Sequence, residues 1–124
     1  MNNKKLGTCF ERDYCEELSK QGYWVHFMSP DGRGSQPFDI IAVKNGQAYA
    51  IECKTLTSDK NTFTINRLEM NQIFAFEKWM MCGNKEPLIA VKWRDKVILI
   101  AYTELATKKK INLEEYQHES KMQF

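Results

Sequence analysis

The stretch from Phe38 to Lys54 admits few arrangements. Two runs of strand-forming side chains, Phe38-Asp39-Ile40-Ile41-Ala42-Val43 and Ala48-Tyr49-Ala50-Ile51-Glu52-Cys53-Lys54, are joined through Lys44-Asn45-Gly46-Gln47. Asn-Gly is the strongest short hairpin signal, because a two-residue type I′ turn needs positive φ at both central positions. With Asn45 and Gly46 central, Lys44 pairs with Gln47, Val43 with Ala48 and Asp39 with Glu52. The two carboxylates then stand on one face, directly opposite each other, and Lys54 joins them two residues on. A three-residue bulged turn would slip the pairing by one and send the carboxylates to opposite faces. The plainer alternative leaves Asp39, Glu52 and Lys54 at strand ends in water. Ile40, Ile41, Val43, Ala48, Ala50 and Ile51 make the hairpin apolar on both faces, however, as in strands covered on both sides, where a charge has a partner or a task. Like charges directly opposite at a Cβ separation of about 4.5–5.5 Å destabilise a sheet, so a compensating cation is expected, and a divalent metal is the natural one.

A chain of 124 residues holds one domain with a real core. Apolar content of 43% and charged content of 27% are those of an ordinary globular protein, and a net charge of +2 neither demands nor excludes a nucleic-acid partner. No apolar run is long enough to span a bilayer, and Met1-Asn2-Asn3-Lys4-Lys5 does not begin a signal peptide, so the expectation is a cytoplasmic protein that does not engage membranes. Cys9, Cys15, Cys53 and Cys82 form no Cys-x-x-Cys pair and have neither His26 nor His118 at ligand spacing. Reduced thiols filling core positions are expected, without structural zinc. His26, in an apolar strand, reads as a satisfied or partly exposed histidine.

Thr8 can cap a helix running to about Lys20 and stopped at Gly22, with Phe10, Tyr14 and Leu18 as its buried stripe and Glu11 beside it. Residues 23–28 read as a strand and Ser29 to Pro37 as a loop. Thr55 to Thr64 reads as extended or mobile. Asn66 to Met81 has helical periodicity through Leu68, Ala75, Phe76 and Trp79, ended by Gly83. Leu88 to Trp93 and Val97 to Tyr102 make a second strand pair around Arg94-Asp95-Lys96. The fold class is therefore α/β, a single domain with a mixed five-stranded sheet flanked by helices. Its core spans about residues 6–102, and residues 103–124 form a polar C-terminal extension with a short helix around Leu113 to Tyr116.

Glu11, Asp39, Glu52 and Lys54 are the set a metal-dependent phosphodiesterase needs. Mg²⁺ prefers oxygen ligands and is usually held by one or two carboxylates with water and phosphate oxygens; Mn²⁺ suits the same donors. A lysine beside it can position the attacking water and neutralise charge developing on the phosphate. Hydrolysis without a covalent intermediate is expected. Gln72 falls on the buried face of its helix, where its amide must find a partner in an active site or on nearby backbone.

These residues in this order resemble the PD-(D/E)xK nuclease superfamily, whose restriction-endonuclease-like fold is the one read above, with Asp39 as the aspartate and Glu52-Cys53-Lys54 as the E-x-K element. Gly7-Thr8-Cys9-Phe10-Glu11-Arg12 is similar to the helix opening Gly-x-x-x-Glu-Arg of the archaeal-type Holliday junction resolvases and their bacterial and phage relatives. So are the thirteen-residue step from Asp39 to Glu52, the Gly22-Tyr23-Trp24-Val25 start of the first strand, Gln72, and the strand Leu88-Ile89-Ala90-Val91-Lys92. The resemblance implies metal binding by Asp39, Glu52 and the backbone carbonyl of Cys53. It implies catalytic roles for Lys54, Glu11 and Gln72, and a homodimer nicking opposing strands of a four-way junction. The loop before Pro37 departs from that pattern. Arg12, Arg33, Lys60 and Arg67 flank the expected site and could contact phosphates. Two other readings stay open: a nuclease of the same superfamily acting on duplex, nicked or single-stranded DNA, and a DNA-binding domain without catalysis.

Overall fold

The computed structural model describes residues 3–28 and 36–119. Helix α1 (Asn3–Lys20) leads into β1 (Trp24–Phe27), then β2 (Ile40–Lys44), β3 (Gln47–Thr55) and the short β4 (Thr62–Thr64). A 3-10 turn (Ile65–Arg67) precedes α2 (Met70–Met81), followed by β5 (Leu88–Trp93), β6 (Lys96–Ala101), α3 (Tyr102–Lys108), β7 (Lys110–Asn112) and α4 (Leu113–Glu119). The five long strands form one mixed sheet in the order β1-β2-β3-β5-β6, parallel only between β3 and β5. This is the expected fold class.

The sheet is covered on both faces. On one, Phe10, Tyr14 and Leu18 of α1, one turn apart, close over Ile40, Ala42, Ile51 and Ala90. On the other, Phe76 of α2, Leu105 of α3 and Tyr116 near the end of the chain pack on Ala50, Ile89, Val91 and Ile100. Central β3 and β5 are therefore apolar on both sides, as their sequences read, and Glu52 breaks the run. α1 begins at Asn3, so Thr8 lies inside it and is not its cap. Gly22, at φ +95°, reverses the chain after the helix.

Thr55 to Thr64, read as extended or mobile, contains the extended β4, which pairs antiparallel with β7. Two expectations need correction. The helix foreseen over Asn66 to Met81 is divided: Leu68 is extended and buried, and α2 starts only after Glu69. The stretch beyond residue 102 is no polar appendage, since Leu105, Ile111, Leu113 and Tyr116 are buried in the main core and the Tyr116 hydroxyl accepts the Ala101 N–H at 3.1 Å. The cysteine reading holds for Cys53, which is buried and reduced, but Cys82 is exposed.

Candidate active site

The β2–β3 hairpin has the two-residue turn. Asn45 and Gly46 adopt φ of 54° and 77°, Lys44 pairs with Gln47, and the register runs out to Ile40 opposite Ile51. The ladder ends there: the Asp39 N–H donates to the Ile51 carbonyl at 3.1 Å, which holds Asp39 at the open end of the hairpin, its carboxyl beside that of Glu52. Asp39 is anchored by its own carboxylate, whose Oδ2 accepts the Cys53 N–H at 2.8 Å. The bulged alternative is excluded, and the two carboxyls meet as a buried pair.

Glu52 is almost wholly buried. Its Oε2 accepts the Gln72 Nε2–H at 2.6 Å and lies 3.4 Å from Lys54 Nζ. Its Oε1 is buried and finds no hydrogen-bond partner among the described residues. A carboxylate oxygen sealed from water without a partner is costly, and burial followed by the negative charge of Asp39 pushes the Glu52 carboxyl up to about 8. Burial also raises Asp39, opposed by the Cys53 N–H. Glu11, half-buried on α1, is pushed up to about 7 by burial and then by Asp39, with Lys54 pulling the other way. Glu11 therefore shares the electrostatic field of the pair.

Gln72 answers both halves of the question its position raised. Its Oε1 accepts the Glu69 N–H at 3.0 Å while its Nε2–H reaches Glu52. Glu69 in turn caps the helix reciprocally, its side chain accepting the Gln72 N–H. Glu69 is the positioning residue that sequence reading missed. The Glu69-x-x-Gln72 spacing is its signal, masked because the helical period already runs from Asn66, four residues before α2 begins.

The donor set suits a hard divalent cation: two facing carboxylates, one of them with an orphaned oxygen. Among the described residues no three His, Cys, Asp or Glu side chains cluster as a metal cage. A groove of about 880 Å³ runs between α1 and the β5–β6 turn, but Asp39, Glu52, Lys54 and Gln72 do not line it.

The expected phosphate contacts separate. Arg12 and Lys60 are exposed. Arg67 is engaged, its Nη2–H donating to the Thr55 carbonyl at 2.9 Å while its guanidinium lies over the Phe63 ring. Arg33 lies outside the described residues, with the rest of 29–35.

A mixed sheet in this order, with an aspartate opposite an E-x-K strand and a helix on each face, defines the PD-(D/E)xK nuclease fold. The model of the archaeal Holliday junction resolvase family (Hjc) matches residues 2–121, and the chain belongs to that family. It is 30% identical over 115 residues to the crossover junction endodeoxyribonuclease of Sulfolobus islandicus rod-shaped virus 1, covering 90% of this chain and 93% of the relative. It is 32% identical over 96 residues to the crossover junction endodeoxyribonuclease Hjc of Methanocaldococcus jannaschii, covering 77% of this chain and 65% of that one. The 1.6 Å structure of Archaeoglobus fulgidus Hjc, a Holliday junction resolvase, superposes with a TM-score of 0.65 at 24% identity, over 88% of this chain and 89% of that one.

Proposed function

We propose that this chain is a divalent-metal-dependent endodeoxyribonuclease that cuts four-way DNA junctions as a homodimer. The observation that carries the reading is the buried pair of Asp39 and Glu52 with Lys54 and Gln72 on the same Glu52 oxygen. Family membership and the names of the two relatives support the substrate.

Asp39, Glu52 and the Cys53 carbonyl would hold Mg²⁺ or Mn²⁺, which supplies Lewis-acid stabilisation of the phosphate and a more acidic water. Lys54 is placed to orient the attacking water and to offset negative charge as the water oxygen bonds to phosphorus and the bond to the leaving sugar oxygen breaks. Gln72 fixes the rotamer of Glu52, and Glu11 can take up a proton near neutral pH. Arg12 and Lys60 are available to phosphates. Arg67 would have to exchange its bond to Thr55.

The dimer rests on α2. Met70, Phe74 and Met81 are 61%, 66% and 80% exposed and lie along its outer face, opposite the buried Gln72 and Phe76. Such a stripe exposes on the order of 400 Å² of apolar surface, at the upper range for a monomer. It is about half of what each partner of a stable complex buries, so it suits the centre of an isologous contact with a second copy.

The test is cleavage of a labelled four-way junction beside a linear duplex of the same sequence, in Mg²⁺ and in EDTA, with Asp39→Asn and Lys54→Ala, and sedimentation of wild type and Phe74→Glu. Expected are paired nicks in the junction alone, lost in EDTA and in both active-site variants, and a dimer that Phe74→Glu dissociates. Equal cutting of the duplex would replace the resolvase with a general nuclease. Tight junction binding without any cutting would indicate a non-catalytic role.

A further inference from the structure

β1 is an edge strand of the sheet, and its two faces are unlike. Val25 and Phe27 turn inward and pack beneath α1. Trp24 and His26 point the other way, to the face that carries Ile41 and Met28, and both are exposed there. Trp24 is 62% exposed, whereas Trp93 is buried and Trp79 half-buried. The Trp24 and His26 rings are parallel within 10°, with centroids 6.2 Å apart. A large aromatic ring left mostly in water on a sheet loses hydrophobic stabilisation unless something covers it.

This aromatic pair lies on the strand that runs to the level of the carboxylates. Trp24 sits opposite Val43 and His26 opposite Ile41, and the next step along the same face is Met28, whose N–H donates to the Asp39 carbonyl at 2.7 Å. His26 is therefore about 7 Å and Trp24 about 14 Å along β1 from the level of Asp39. That is the span of about four base steps of one DNA strand.

We propose that Trp24 and His26 form a stacking platform for unpaired nucleobases of the DNA strand that leads into the Asp39–Glu52 site. The proposal rests on the nuclease reading above and adds to it a contact with bases, where Arg12 and Lys60 offer only phosphate contacts. Every base has a π-face, so the platform is indifferent to sequence and selects strands whose bases are unstacked, as near a branch point. The occupant is a base and not a second protein chain, because the flat rings lie on the strand that runs to the level of Asp39, two and four residues before that level. The side chains suited to a protein contact, the thioethers of Met70 and Met81 around Phe74, lie apart, on α2.

The experiment measures binding of the full-length protein to a four-way junction in EDTA, where cleavage is suppressed, for wild type, Trp24→Ala, His26→Ala and Trp24→Phe. It is repeated on junctions carrying single abasic sites within four nucleotides of the branch point. Expected is about 5- to 100-fold weaker binding for Trp24→Ala, a smaller loss for His26→Ala and near-recovery in Trp24→Phe. The slope of affinity against salt should stay the same, because no phosphate contact is lost. At one abasic position wild type should weaken to the level of Trp24→Ala, and the two losses should not add. Equal binding by wild type and Trp24→Ala on every junction would overturn the platform while leaving the nuclease reading intact. Failure of wild type itself to bind or cut any junction would overturn that reading and the platform with it. Dissociation of the dimer by Trp24→Ala in sedimentation would make Trp24 a protein contact and overturn the proposal.

Discussion

Two hairpins in this sheet turn through a pair of positive-φ residues, Asn45-Gly46 between β2 and β3 and Arg94-Asp95 between β5 and β6. Only the first pair is one that a chain adopts unaided. Asn tolerates the left-handed region and Gly has no Cβ to clash there. A Cβ built on Gly46 meets nothing within 4 Å, so the glycine is required by backbone conformation and not by space. Arg94 and Asp95, at φ of 48° and 61°, are held from outside. The Arg94 guanidinium stacks over the Trp93 ring, donates to the Ser58 carbonyl at 3.1 Å and pairs with Glu114 at 2.8 Å. The first turn dictates the register of its strands, and the second is dictated by what surrounds it. The carboxylate pair hangs from the locally determined hairpin, at the end farthest from the turn.

Adding one residue to each turn should break that comparison most sharply. A glycine inserted between Asn45 and Gly46 shifts the pairing by one and parts Asp39 from Glu52, so junction cleavage should fall to background. The same insertion between Arg94 and Asp95 should cost about 1–3 kcal/mol in denaturant unfolding and leave cleavage measurable, because β3 and α2 are untouched. Equal loss of cleavage from both insertions would mean that the site does not depend on the first turn.

Gln72→Ala comes next in size. It strips Glu52 of its only hydrogen bond from α2 and opens the reciprocal cap with Glu69. Loss of a residue that orients a metal ligand typically costs 10–100-fold, so cleavage should fall by about that factor, with about 1 kcal/mol of stability from the cap. Glu69→Ala should reproduce the stability loss and only part of the activity loss, which separates the capping role from the orienting one.

The same contrast explains what could be read from the amino acids. The hairpin register, the pairing of Asp39 with Glu52 and the α1 stripe follow from turn chemistry and period, which are local. Helix α2 starts later than its period suggests because Leu68 fits the helical period yet is buried in an extended conformation, a choice made by the core and not by the chain around it. The polar look of residues 103–119 concealed four apolar anchors, Leu105, Ile111, Leu113 and Tyr116, too widely spaced to register as an element until β7 finds β4. The Trp24 and His26 exposure was equally hidden, since residues 23–28 are aromatic or aliphatic at nearly every position and only the packing of α1 tells the two faces apart.

A smaller effect lies in the pH dependence of the metal-free protein. Glu52 and Glu11 both have carboxyls raised above the usual 4.5, to about 8 and about 7. The folded chain therefore binds more protons than the unfolded chain across that interval. The stability these groups contribute is complete below about pH 4.5 and is lost as pH rises through 7 to 8. In EDTA the Tm should fall from pH 5 to pH 8, Glu52→Gln should flatten the fall, and Mg²⁺ should raise the Tm more at pH 8 than at pH 5. A Mg²⁺ effect independent of pH would place the ion away from the carboxylate pair.

The smallest expected change is at the second turn itself. If Arg94-Asp95 is imposed by its surroundings, the backbone there carries a cost that a more suitable residue should remove. Asp95→Gly gives the second turn position the residue that position prefers, while Arg94 keeps its bonds to Ser58 and Glu114. Relief of the left-handed strain, about 1–2 kcal/mol for an ordinary side chain and less for aspartate, is offset by the extra freedom glycine gives the unfolded chain, about 0.4–1 kcal/mol. The net should be a gain of no more than about 0.5 kcal/mol, a Tm rise of about 2 °C for a domain of this size. Gly46→Ala is the mirror experiment. It meets no steric obstacle yet should lower the Tm by several degrees, because at the first turn the backbone conformation has no outside support to fall back on.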